Sequence, residues 1–77
     1  MKNTLYVVIP CYNEQEVLPE TTRRLKSKML FLMEQNKISK ESRVVLVNDG
    51  SKDHTWKMIC EFHENDSLFT GINLSRN

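Results

Sequence analysis

The sequence contains no run of about 18 or more apolar residues, so nothing in it is long enough to span a membrane as a helix. It has two cysteines, Cys11 and Cys60, too few for a disulfide framework; reduced thiols in a cytosolic compartment are expected. With two glycines and two prolines it offers no G-x-G-x-x-G and no Walker A pattern, so two common phosphate-cradling loops are absent. An excess of one charge is also missing. Eleven Lys and Arg stand against ten Asp and Glu, and a net charge of +1 argues against a nucleic-acid binder working by bulk charge. No small-residue cleavage site follows the short apolar run in Met1–Pro10, so export is not expected. The sequons Asn65-Asp66-Ser67 and Asn73-Leu74-Ser75 are then chance matches.

What is present is an ordinary globular composition, too apolar for a disordered tail. At 77 residues the chain holds one domain at most, with a thin core. Leu5–Ile9 is a continuous β-branched and aromatic run, the pattern of a strand covered on both faces, and Pro10 is expected to end it. A helix follows over about Gln15–Asn36, with Leu18, Thr22, Leu25, Met29 and Leu32 forming one apolar stripe. Pro19 must sit in its first turn, which a start near Val17 allows. Arg23, Arg24, Lys26 and Lys28 lie mostly off the stripe and read as a solvated face rather than a membrane-binding one.

Arg43–Val47 is a second buried-strand run, broken by Asn48-Asp49-Gly50-Ser51. Asp53 suits the N-cap of a helix over His54–Glu64, with Trp56, Ile59, Cys60 and His63 on one face. Leu68–Leu74 is a third strand candidate, weakened by Gly71. Strand, helix, strand, helix, strand implies an α/β fold with parallel strands, a partial Rossmann-like βαβαβ unit. Ligands of such sheets sit outside the carboxyl ends of the strands, so Pro10–Glu14, Asn48–Ser51 and Ser75–Asn77 are expected to share one rim.

The first loop offers Tyr12 as a stacking face for a flat base and Glu14 as an acceptor for sugar hydroxyls or a base N–H. The competing reading is a plain turn in which Asn13 or Glu14 caps the helix. In the second loop Asp49 can meet a ring N–H or a ribose hydroxyl, and Gly50 allows a tight turn and close ligand approach. Asp53 and Thr55 read as structural, closing the helix start. Cys60 and His63 share a helix face but do not make a zinc site by themselves. Asp49, Ser51 and His54 are close in sequence, yet the nucleophile-elbow pattern is missing and the spacing places no base in line with the hydroxyl.

Val7-Val8-Ile9-Pro10-Cys11-Tyr12-Asn13-Glu14, followed further along by Val47-Asn48-Asp49-Gly50-Ser51-Lys52-Asp53-His54-Thr55, resembles the start of the family 2 glycosyltransferases, which are inverting enzymes of GT-A fold. Asn73-Leu74-Ser75-Arg76-Asn77 is similar to the next stretch in the dolichol-phosphate mannose synthase-like and bactoprenol glucosyltransferase-like branch. The resemblance implies a site for a nucleotide-diphosphate sugar lined by Pro10, Tyr12, Glu14, Asp49 and Arg76. Asn48 departs from the second Asp that many members carry.

The family's Asp-x-Asp metal motif and its catalytic base do not occur in these residues, so no catalytic residue and no metal ligand is assigned. Residues 1–77 are accordingly expected to be the N-terminal, nucleotide-sugar-binding part of a longer GT-A enzyme, inactive alone. The parent would transfer a sugar with inversion, with polyprenyl phosphate as an acceptor class, using Mg²⁺ or Mn²⁺ to neutralise the leaving diphosphate. It would work in the cytoplasm, at the membrane face if it carries the branch's membrane helices. In this family's sheet the first strand is central, so Leu5–Ile9 is expected to present an unpaired edge here and to drive self-association. Two alternatives compete. One is a non-catalytic α/β interaction module. The other is a phosphoacceptor domain built on Asp49, opposed by the lack of an acidic pair after the first strand.

Overall fold

The computed structural model describes residues 3–74. The elements run β1 (Tyr6–Cys11), α1 (Leu18–Glu34), β2 (Arg43–Asn48), α2 (Thr55–Asn65) and β3 (Phe69–Asn73). The three strands are parallel and lie in the order β1-β2-β3. The α/β alternation expected from the sequence is therefore what the chain builds.

Pro10 does not end the first strand; β1 runs through it to Cys11. The reason lies in the ladder. Leu5 and Cys11 turn their carbonyls to β2, where they accept the Arg43 and Asp49 N–H groups at 3.0 and 2.9 Å. By alternation, the Pro10 nitrogen faces the outer edge, so its missing N–H removes no bond. That outer edge has no neighbouring strand among the described residues, and it is where the expected self-association would act.

Among the described residues, β1 is covered on one face and not on both as expected. Val7, Ile9 and Cys11 point to the helices, whereas Tyr6 and Val8 are about three-fifths exposed, at 61% and 60%. The strand order explains this. Both crossovers step the same way across the sheet, and right-handed connections then put both helices on one face. The core fills that face: Cys11, Val44, Leu46 and Phe69 from the strands, Leu18 and Met29 from α1, and Ile59 from α2.

α1 starts at Leu18 with Pro19 in its first turn, and its buried residues are Leu18, Thr22 and Met29, with Leu25 and Leu32 half-buried. The Thr22 hydroxyl is silenced by the Leu18 carbonyl at 2.9 Å. The helix closes through Asn36, which adopts φ 59°, while the Asn36 and Lys37 N–H groups bond to Met33 and Leu32 carbonyls. Its basic run is exposed; Glu20 accepts from Arg23 and Arg24, and Lys26 reaches Asp66 beyond α2 at 2.6 Å.

α2 packs on β3 at close range. A Cβ added at Gly71 would sit 2.5 Å from Ile59 Cγ2 and 3.3 Å from Trp56 Cζ3. Gly71 is therefore the residue that lets the helix lie on the strand, not a sign against the strand. The Phe62 and Phe69 rings meet at 5.9 Å, and a His63 ring nitrogen lies 2.8 Å from the Phe69 carbonyl oxygen.

Candidate functional site

The parallel register sets Cys11 beside Asn48, so the loops after β1 and β2 leave the sheet side by side. Tyr12 follows β1 and is about half exposed. Asp49 follows β2, tied by its N–H to the Cys11 carbonyl. Tyr12, Asp49, Gly50 and Lys52 line one cavity of about 520 Å³. Gly50 has φ 73°, a left-handed turn that a side chain would strain.

The two loops are laced together by side chains bonded to backbone. The Asn13 N–H donates to Ser51 Oγ at 2.9 Å, and the Lys52 N–H donates back to Asn13 Oδ1 at 2.9 Å. The Glu14 N–H donates to Thr55 Oγ1 at 2.9 Å, and the Gln15 N–H to Asp53 Oδ2 at 3.3 Å. Gln15 Oε1 accepts the His54 N–H at 3.0 Å. Asp53 Oδ1 accepts both the N–H and the hydroxyl of Thr55, at 2.9 and 2.5 Å. Asn48, buried under this lattice, accepts the Ser51 N–H and donates to Asn73 Oδ1 at 2.8 Å.

This lattice alters the simpler expectations. Neither Asn13 nor Glu14 caps α1 with its side chain; the N-cap is Val17, without a side-chain bond, and the Glu14 carbonyl accepts the Val17 and Leu18 N–H groups. Asn13 instead takes φ 50° and faces the second loop. The helix after the second loop starts at Thr55 rather than His54. Asp53 does close its first turn, but it also holds the first loop. Ser51 Oγ is engaged by Asn13, so it serves the loop and not a hydrolytic triad.

Of the residues singled out in the sequence, Tyr12 and Asp49 come together in one cavity. Glu14 lines an adjoining hollow of about 340 Å³ with Asn13, Gln15, Glu16, Val17 and Asp53. Pro10 lines neither of these two spaces, and Arg76 lies outside the described residues. Lys52 and Gln15 were not legible as rim residues, and Asn13, expected on the rim, was not legible as a tie between the loops. Their roles depend on partners some 38 or 39 residues away, which no local pattern encodes.

Burial, aided by the nearby Glu14 carboxylate, pushes the Cys11 thiol up, and its Sγ–H points to the Ile9 carbonyl at 3.5 Å. It is a neutral packing group rather than a nucleophile. No group of three His, Cys, Asp or Glu among the described residues could hold a metal ion. No step here runs through the Mg²⁺ or Mn²⁺ that the resemblance implies for the longer parent.

Hydrogen bonds hold the Asp53 carboxyl below its usual range, first from the Thr55 hydroxyl and then from the Thr55 and Gln15 N–H groups. Asp66 is lowered too, by Lys26 and then by the Leu68 N–H. A carboxylate with a depressed folded value stabilises the fold above its unfolded value, about 3.9, and that contribution fades as pH falls through the lower, folded value. Melting temperature is expected to hold from neutral pH down to about 5 and to drop below about 4. Thermal melts of wild type and Asp53→Asn should differ at pH 7 and converge near pH 2. An equal gap at both ends would remove Asp53 from the acid limb.

A parallel α/β unit with both helices on one face and laced loops around a cavity at the carboxyl ends of the strands is a Rossmann-like frame. The chain belongs to glycosyl transferase family 2, whose model matches residues 6–77. It is 38% identical over 73 residues to the uncharacterized glycosyltransferase YkoT of Bacillus subtilis, covering 95% of this chain and 22% of that protein. It is 37% identical over 73 residues to the uncharacterized glycosyltransferase sll0501 of Synechocystis, covering 95% of this chain and 21% of the relative. The chain thus spans about a fifth of the length of the curated relatives it matches.

Proposed function

We propose that residues 3–74 carry the donor seat of an inverting glycosyltransferase and bind the nucleoside of a nucleotide-diphosphate sugar. The observation that carries this reading is the cavity shared by Tyr12 and Asp49 at the ends of β1 and β2. A phenol ring half exposed beside a carboxylate suits a base, which can stack on the ring and donate an N–H to the carboxylate. Family membership supports a sugar nucleotide as the class of ligand. For the whole protein we propose a polyprenyl phosphate acceptor at the cytoplasmic membrane face, as in the dolichol-phosphate mannose synthase-like branch. Support for that finer assignment is the likeness of Asn73–Asn77 to the branch's sequence.

The test is a titration of the 77-residue chain with uridine and guanosine diphosphates, followed by amide NMR. Shifts should centre on Tyr12, Asp49 and Gly50 for one of the two nucleotides. Tyr12→Ala should weaken that binding about tenfold, since base–aromatic stacking contributes about 1–3 kcal/mol per base, and Asp49→Asn should weaken it by about as much through loss of a charge-assisted hydrogen bond. No shift with either nucleotide would favour a non-catalytic α/β module instead.

A further inference from the structure

The rim has an electrostatic peculiarity. Among the described residues, those lining its two hollows include the carboxylates of Glu14, Glu16, Asp49 and Asp53 and one cation, Lys52. A ligand bearing a diphosphate would meet repulsion from this acidic setting unless a positive charge faced it. Lys52 lines the same cavity as Tyr12 and Asp49. Elsewhere in the chain Arg23, Arg24 and Lys26 are spent on Glu20 and Asp66, whereas Lys52 has no ion pair among the described residues.

The main chain around Lys52 is also fixed. Its own N–H is held by Asn13 Oδ1 at 2.9 Å. The preceding residue, Ser51, is held twice, its N–H by Asn48 and its hydroxyl by the Asn13 N–H. Gly50, with φ 73°, turns the backbone two residues earlier and lines the same cavity. A long ammonium side chain thus rises from an anchored base at the mouth of a cavity, which restricts where its charge can go.

We infer that Lys52 is the residue that makes this rim prefer a phosphorylated nucleotide over the bare nucleoside, by placing its ammonium against the ligand's phosphate oxygens. Asn13 is the positioning residue, since it fixes the Lys52 backbone without lining that cavity. The inference rests on the nucleotide-seat reading above but assigns a separate contact within it. Tyr12 and Asp49 handle the base, and Lys52 handles the charge.

Calorimetric titration with uridine, uridine monophosphate and uridine diphosphate, or with the guanosine series if that base binds, separates the two. Wild type should bind the diphosphate about tenfold more tightly than the nucleoside at low salt, and this ratio should shrink in 0.5 M salt, where the screening length falls to a few ångströms. Lys52→Gln should cut diphosphate affinity about fivefold and leave nucleoside affinity unchanged, and Lys52→Arg should restore most of the preference. Asn13→Ala should lower the diphosphate preference in the same direction. A Lys52→Gln chain that keeps the wild-type ratio overturns the assignment while leaving the nucleoside seat intact. Failure of every nucleoside and nucleotide to bind overturns both.

Discussion

Replacing Gly71 with alanine should destabilise the chain by about 1–3 kcal/mol, and with valine by more. The added Cβ would lie 2.5 Å from Ile59 Cγ2, well inside contact distance. Ile59 is about 1% exposed, so its methyl has no solvent to swing into. Trp56, next to it, closes the other side at 3.3 Å. Relief can come only by lifting α2 from β3, which strips contacts from a core that is thin at this chain length. In thermal melts the alanine variant should fall by about 5–20 °C, since a small domain loses about 4–8 °C per kcal/mol. Ile59→Ala removes the clashing methyl. In a double-mutant cycle the Gly71→Ala/Ile59→Ala chain should therefore be more stable than the two single losses added together. Strict additivity would mean that the close approach of α2 to β3 carries no strain penalty.

Thr55→Val should cost about 1–3 kcal/mol although it keeps the shape of the side chain. Thr55 is fully buried, and its hydroxyl does two things: it accepts the Glu14 N–H and donates to Asp53. Valine leaves the Glu14 N–H without that acceptor and takes a donor from the carboxylate, while the volume stays filled. Thr55→Ser keeps the hydroxyl and loses only a methyl, so its loss should be near 1 kcal/mol. Urea unfolding of the two variants makes the comparison directly. Equal midpoints for Val and Ser would show that packing, not the hydrogen bonds, is what Thr55 contributes.

These two sites show where sequence reading reached and where it stopped. The parallel α/β order was legible because Leu5–Ile9 and Arg43–Val47 are strand-like runs separated by a helical stripe. The open face of the sheet was not. An apolar run says that a strand can be covered twice, and only the order β1-β2-β3 decides that both helices fall on one side. Gly71 looked like a weak point in a strand because the residue it accommodates, Ile59, lies on another element. Tyr12 and Asp49 could be picked from their positions after buried runs. Asp53 and Thr55 read as local helix-closing residues, and the bonds they send to Gln15 and Glu14 were invisible, since hydrogen bonds between loops leave no spacing to detect.

The lacing of the two loops also bears on how the chain folds. Its bonds join residues 38 to 41 positions apart, and nothing local favours any of them. Closing such long loops carries an entropic penalty that is met only after β1 and β2 have paired and the intervening helix is in place. The rim is then a late structure on the folding path. Its formation follows strand pairing, and its opening under stress should precede the loss of the sheet. A nascent chain would hold the aromatic, the carboxylate and the lysine as separate groups on two unlinked loops. Ligand binding should therefore arrive abruptly, as the last step of a cooperative transition, and not grow in gradually with helix content.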